Sequence, residues 1–220
     1  MSICNIRFDK DSVILLTDQM VYSADNEPVA LAARKAEMGD GFVWSTRGSF
    51  GLGEMIDAAL ADARGFDHAL AVAGYAVGGI EPSLIELGRS IEVTIAGPSK
   101  GAGDLRCVRI TRRPAGTVVE EYERGTRLSP SSSALPPLPG DIPLDKFVRL
   151  AWAQQKISDE FNLKGCVGGA AHFTGVNGAG ETYQEIAGLY PTYDQDAAAL
   201  GDPNADEVAA WRRRNEYEAA

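Results

Sequence analysis

Four residues near the start of the chain are of types that do chemistry: Ser2 beside Met1, Asp18, Lys35 and Gly48. A serine hydroxyl is a weak nucleophile at neutral pH. At the first position of a chain it has a base within reach, because a free α-amine with a pKa of about 7.7–8.0 can accept its proton. Ser2 reaches that position once Met1 is removed, and a small second residue permits the removal. Each residue also has a plainer reading. Ser2 is an ordinary terminal residue, Asp18 a turn-forming acid, Lys35 a solvated charge on an edge strand, and Gly48 the pivot of a tight strand-to-helix turn. Cys4 is a rival nucleophile, but Ser2 and Ile3 would have to be trimmed first. His68 and His172 have no neighbouring G-x-S-x-G pattern. Gly51-x-Gly53 lacks the third glycine and the βαβ unit of a nucleotide site.

The elements that carry these residues are legible from periodicity. Residues 2–8 alternate as a strand, with Ser2, Cys4, Ile6 and Phe8 on one face. Residues 13–16, Val-Ile-Leu-Leu, form a continuous apolar run that suits a strand buried on both faces. Asp9 to Ser12 is hairpin-turn chemistry. A third strand is expected around residues 30–35, a turn at Gly39-Asp40-Gly41, and a fourth strand at residues 42–46. Leu52, Met55, Ile56, Ala59, Leu60 and Ala63 recur at helical spacing after Ser49, a suitable N-cap. Residues 69–77 read as a second, more buried helix, ended by Gly78-Gly79 and Pro82, with one more turn near Leu84-Ile85. Strands are expected at 90–96, 105–111 and 117–122. Residues 124–143, rich in Ser and Pro, read as an irregular loop. Residues 145–161 form the clearest helix, with Phe147, Leu150, Ala151, Gln154, Ile157 and Phe161 on one face. Residues 168–176 and 181–187 close the fold as a hairpin, and 206–217 is a short amphipathic helix.

Strands, then a helix pair, then strands again is not a βαβ alternation. The order predicts an α+β fold, a four-layer αββα sandwich of two antiparallel sheets with helices on each outer face. Residues 1–190 are read as one domain and 191–220 as a polar C-terminal extension with a short helix. Of the 220 residues, 45% are hydrophobic and 24% charged, in the ordinary range for globular proteins. The net charge of −10 and the lack of a dense basic cluster speak against a nucleic-acid partner. No apolar run approaches the roughly 20 residues that span a bilayer, and no signal peptide is visible, so a cytoplasmic protein without a membrane partner is expected. Cys4, Cys107 and Cys166 show no C-x-x-C spacing, so no metal and no cofactor is expected.

The stretch from Ser2 to about Met55 resembles the start of a proteasome β-type subunit, an N-terminal-nucleophile (Ntn) hydrolase. Such chains also open on a nucleophile-bearing strand, then a V-I-L-L-T-D-like strand, a Lys-bearing strand, and an apolar strand ending near a Gly and a helix. Residues 91–97 (Ile-Glu-Val-Thr-Ile-Ala-Gly) and 168–173 (Gly-Gly-Ala-Ala-His-Phe) resemble the middle strands and the last hairpin. The resemblance covers roughly residues 2–190. It implies Ser2 as nucleophile, Asp18 as the acid that orients it, Lys35 as the charge that favours its deprotonation, and the Gly48 N–H as oxyanion donor. Departures accompany it. Ser stands where Thr is usual, Arg34 competes with Lys35 for register, and Arg47 adds a charge beside the pocket. The late Ser/Asp/Ser cluster has only Asp159 nearby, with Val167 in place of a Ser.

Two functions follow as expectations. One is a self-compartmentalised N-terminal-serine peptidase acting on a peptide or protein substrate. The other is a catalytically silent structural or assembly subunit of a larger complex. Both imply a homo-oligomer or incorporation into a larger assembly.

Overall fold

The computed structural model describes residues 3–23, 25, 27–48, 50–85, 90–129, 138, 142–160 and 167–218. Ser2, Ser49, Phe161 and Cys166, named above, lie outside the described residues, as does the side chain of Asp159.

The apolar runs pair into antiparallel sheets. β1 (Cys4–Phe8) and β2 (Ser12–Thr17) form the first hairpin, with Cys4 opposite Thr17 and Phe8 opposite Val13. Its turn is set by Asp9, whose Oδ1 accepts the N–H groups of Asp11 and Ser12 at 2.9 and 2.8 Å. β11 (Ala170–Asn177) pairs with the other edge of β2 and with β12 (Thr182–Leu189). β10 (Gly125–Arg127) pairs with β1, which gives the order β10-β1-β2-β11-β12. A second sheet runs β5-β6-β7-β8-β9, from β5 (Ala36–Gly39), β6 (Phe42–Arg47), β7 (Ile91–Ser99), β8 (Asp104–Arg113) and β9 (Gly116–Glu121). β3 (Met20–Tyr22) and β4 (Pro28–Leu31) make a separate small ribbon.

The central position of β2 explains its unbroken apolar run. Val13 and Leu15 pack with Ile6, Phe8, Val43, Ala96, Leu105 and Cys107, so they lie between the two sheets. Ile14 and Leu16 point the other way, onto Phe147, Val148 and Ala151 of α3 (Leu144–Glu160). The second sheet is also covered on its far face. Trp44, Ile91, Val93, Ile95 and Val108 pack against Ile56 and Leu60 of α1 (Phe50–Ala61) and Phe66, Ala69 and Ala73 of α2 (Phe66–Gly78). Asp57 of α1 accepts both the Trp44 indole N–H (2.8 Å) and the Thr46 hydroxyl (2.7 Å), which pins α1 to β6. The molecule is an α+β sandwich of antiparallel sheets with helices against their outer faces.

Several sequence expectations change. Of the strand expected at 30–35 only residues 30–31 are strand, as the end of β4; residues 32–35 are irregular, and β5 begins at Ala36. The loop expected at 124–143 contains β10, because the outer edge of β1 supplies main-chain partners. Met55 is 49% exposed: Ile56 and Leu60, four apart, define the buried face of α1, and Met55 falls off it. The tail holds two helices, α4 (Tyr193–Leu200) and α5 (Ala205–Glu218). Tyr193 and Val208 bury them against Ala170 and Ile186.

Candidate active site

β1 begins where β2 ends, and β5 begins opposite the end of β6, with Ala36 paired to Ser45. Ile3, Asp18, Lys35 and Ser45 therefore gather at one end of the sandwich. The layer between the sheets changes character there. Its apolar filling gives way to Cys4, Thr17, Ser45, Thr94 and His172, all buried.

Asp18, 1% exposed, sits at the centre of this polar end. Its Oδ1 accepts the Ile3 N–H at 2.9 Å. Its Oδ2 accepts the Met20 N–H at 3.0 Å and pairs with the Lys35 ammonium at 2.9 Å. Lys35 also donates to the Met20 carbonyl. A buried carboxylate needs such partners, since burial without them carries a large desolvation penalty. The structure thus joins two of the expected residues, Asp18 and Lys35, and brings the residue after Ser2 to the same carboxylate. Arg34, the rival for the lysine register, turns away. Its side chain donates to Gln184 Oε1 at 2.9 Å and Glu207 Oε2 at 2.5 Å.

Gly48 directly follows β6 and has φ of +130°, a region disfavoured for other residues. A Cβ there would meet the Ser90 carbonyl oxygen at 2.6 Å. The turn accordingly requires glycine. Arg47 lies partly buried, donating to Ser129 Oγ and, at 3.2 Å, to Glu92 Oε2.

Cys4 is buried against Ser45, Thr94 and Arg47. Burial pushes its thiol up, and Arg47 offsets part of the rise. A protonated, buried thiol is a poor nucleophile. His172 is paired in register with Thr17. Burial, with Arg34 adding to it, lowers its pKa to about 3, so the ring is neutral across the physiological range. Tyr190 was not singled out by the sequence. Burial raises its hydroxyl well above the ordinary value, and the nearby Asp18 carboxylate adds to the rise.

Gln19 also escaped sequence reading. It is fully buried, accepting the Ala170 N–H at 2.6 Å and donating to Ala32 O at 3.1 Å and Asp202 Oδ1 at 3.3 Å. Gly169, with φ of +78°, lets it lie there, because a Cβ would come within 2.7 Å of Gln19 Cβ. The signal for it was a polar side chain directly after the strand-ending Asp18, with nothing local to satisfy it.

The fold and this polar end define an α+β sandwich with a carboxylate–ammonium pair at one end. Comparison with solved structures agrees on the fold. The chain is similar to an Anbu (Gly-1) mutant from Hyphomicrobium sp. strain MC1, with a TM-score of 0.60, 14% identity, and coverage of 99% of this chain and 100% of that one. It is also similar to Anbu (ancestral beta-subunit) from Yersinia bercovieri, with a TM-score of 0.57, 15% identity, and coverage of 94% and 96%. No family model and no curated protein matches the chain. These findings correct the resemblance to proteasome β-type subunits. The similar structures are Anbu proteins, and at this identity the likeness is one of fold. The physical reason is that the order of strands belongs to the shared fold, whereas the single residues that carried the resemblance are common types.

Proposed function

We propose that the chain is an N-terminal-serine hydrolase of peptide bonds, active once Met1 is removed. The observation that carries this reading is the Asp18 carboxylate bridging the Ile3 N–H and the Lys35 ammonium, 2.9 Å from each. It ties the backbone next to Ser2 to a fixed positive charge. The helix and sheet packing supports a four-layer αββα order for the scaffold.

In this reading the Ser2 α-amine takes the hydroxyl proton as Oγ attacks the carbonyl carbon of the scissile bond. The Gly48 N–H stabilises the oxyanion, a donor of the kind worth about 2.7–4 kcal/mol in acyl transfer. The protonated amine then gives its proton to the leaving nitrogen, and the C–N bond breaks. Water attacks the acyl ester, and the amine again accepts and returns a proton. The Lys35 charge lowers the energy of the deprotonated nucleophile, and Asp18 holds that charge in place. The substrate is a peptide or protein. We further propose self-association into a larger assembly, in line with the word subunit in the name of the Yersinia bercovieri structure, and a cytoplasmic site of action. Among the described residues no helix is long and apolar enough to cross a membrane, and the buried free thiols of Cys4 and Cys107 suit a reducing compartment.

Intact mass of the purified chain, with peptide hydrolysis by wild type and Ser2→Ala, tests this. The reading expects loss of Met1 and activity that Ser2→Ala abolishes. Retained Met1 with no hydrolysis would leave the assembly role alone.

A further inference from the structure

Lys35 is carried by residues 32–35, which belong to no strand. A backbone of this kind holds its shape only if other groups satisfy it. The Ala32 N–H donates to the Gln19 carbonyl at 2.9 Å, and Ala32 O accepts from the Gln19 side chain at 3.1 Å. Ala33 O accepts from Asn204 Nδ2 at 2.6 Å. Arg34 pairs with Glu207 at 2.5 Å. Lys35 O accepts the Ser45 hydroxyl at 2.7 Å.

Two of these partners, Asn204 and Glu207, come from the junction of α4 and α5, and that junction is itself fixed. Asp202 accepts the Tyr193 hydroxyl at 2.5 Å and the Asn204 N–H at 2.8 Å, and it also binds the Gln19 side chain. Val208, one residue beyond Glu207, is buried with Tyr193, Ala170 and Ile186. The polar tail read from the sequence as an extension thus reaches back about 170 positions to grip the lysine-bearing stretch.

We propose that the α4–α5 junction is a brace that positions Lys35, with Asn204 and Glu207 as positioning residues that act through Ala33 and Arg34. Its consequence for catalysis rests on the N-terminal-serine reading; its consequence for Lys35 does not. Loss of one hydrogen bond from the brace raises the population in which residues 32–35 open locally. Lys35 then leaves Asp18 more often.

The test reads the amine itself. Wild type and variants are treated with an amine-acylating reagent, and the rate at each lysine is followed by mass spectrometry. Asn204→Ala and Glu207→Ala are each expected to speed Lys35 acylation about fivefold, and the double variant more. Exposed Lys10 and Lys100 serve as internal references whose rates stay constant. Glu207→Gln, which keeps an acceptor for Arg34, restores most of the protection. Arg213→Ala changes an exposed side chain of α5 and leaves Lys35 unchanged. In parallel, hydrolysis by the two alanine variants should lose kcat with KM held. An unchanged Lys35 rate in the double variant would overturn the brace, as would an equal rise in Arg213→Ala. Faster Lys35 acylation in a protein whose wild type hydrolyses nothing would keep the brace and remove the enzyme reading. Full hydrolysis with unchanged acylation would do the reverse.

Discussion

Asp18 and Lys35 flank the β3–β4 ribbon in sequence, and its antiparallel pairing brings their charged ends to 2.9 Å with the carboxylate side chain fully buried. The Lys35 side chain is 12% exposed. Neither group is solvated well enough to stand alone, so the pair is tightly interdependent.

Asp18→Asn should therefore destabilise the fold strongly. It leaves the Lys35 charge in a largely dry site without its carboxylate, a loss of about 3–5 kcal/mol. The double change Asp18→Asn with Lys35→Met removes both charges and should recover part of that. Urea unfolding of wild type, the two single variants and the double variant measures it. Equal stability of Asp18→Asn and wild type would contradict the buried pair.

Gly48→Ala should cost about 1–3 kcal/mol, because alanine is strained at φ of +130° and its Cβ would press on the Ser90 carbonyl. In the hydrolase reading the same change displaces the oxyanion donor, so kcat should fall by about a hundredfold or more. Thermal unfolding and peptide hydrolysis report the two effects separately.

His172 gives a pH prediction. The folded protein keeps it neutral until about pH 3, while the unfolded chain takes up a proton near its ordinary 6.5. The stability held by this group is complete above about 6.5 and declines as pH drops toward 3, by up to a few kcal/mol. His172→Gln removes that titration. Its unfolding midpoint should fall less than that of wild type between pH 7 and pH 5. Parallel curves would mean that the ring finds a proton partner in the folded state.

Much of the sandwich could be read from alternation and run length. Ile14, Leu16, Val43, Ile91, Val93, Ile95 and Val108 fall in the strands of the two sheets and are all buried. These positions report on themselves, since a strand buried on two faces needs apolar residues throughout. The stretch around Lys35 does not. Residues 30–35 look like a strand because they follow the β-branched Val29 and begin with the apolar Ala30-Leu31, but hydrogen bonds from Gln19, Ser45 and Asn204 hold the backbone from residue 32 onward in another shape. Asn204 lies 171 positions away, beyond any local pattern. β10 was missed for a similar reason: three residues carry little periodicity, and its existence depends on the free edge of β1. The sequence order of Asp18 and Lys35 was visible, whereas their convergence needed the ribbon between them.

In the hydrolase reading Ser2 is the nucleophile and its own α-amine the base. A peptide epoxyketone tests it most directly, because stable capture requires a hydroxyl and an adjacent free amine on one residue. The mature chain, lacking Met1, should gain one inhibitor mass, the adduct should map to Ser2, and Ser2→Ala and Lys35→Ala should remain unlabelled while folded. A chain that retains Met1 and gains no mass, or an adduct that maps to Cys4 or any other residue, would contradict it.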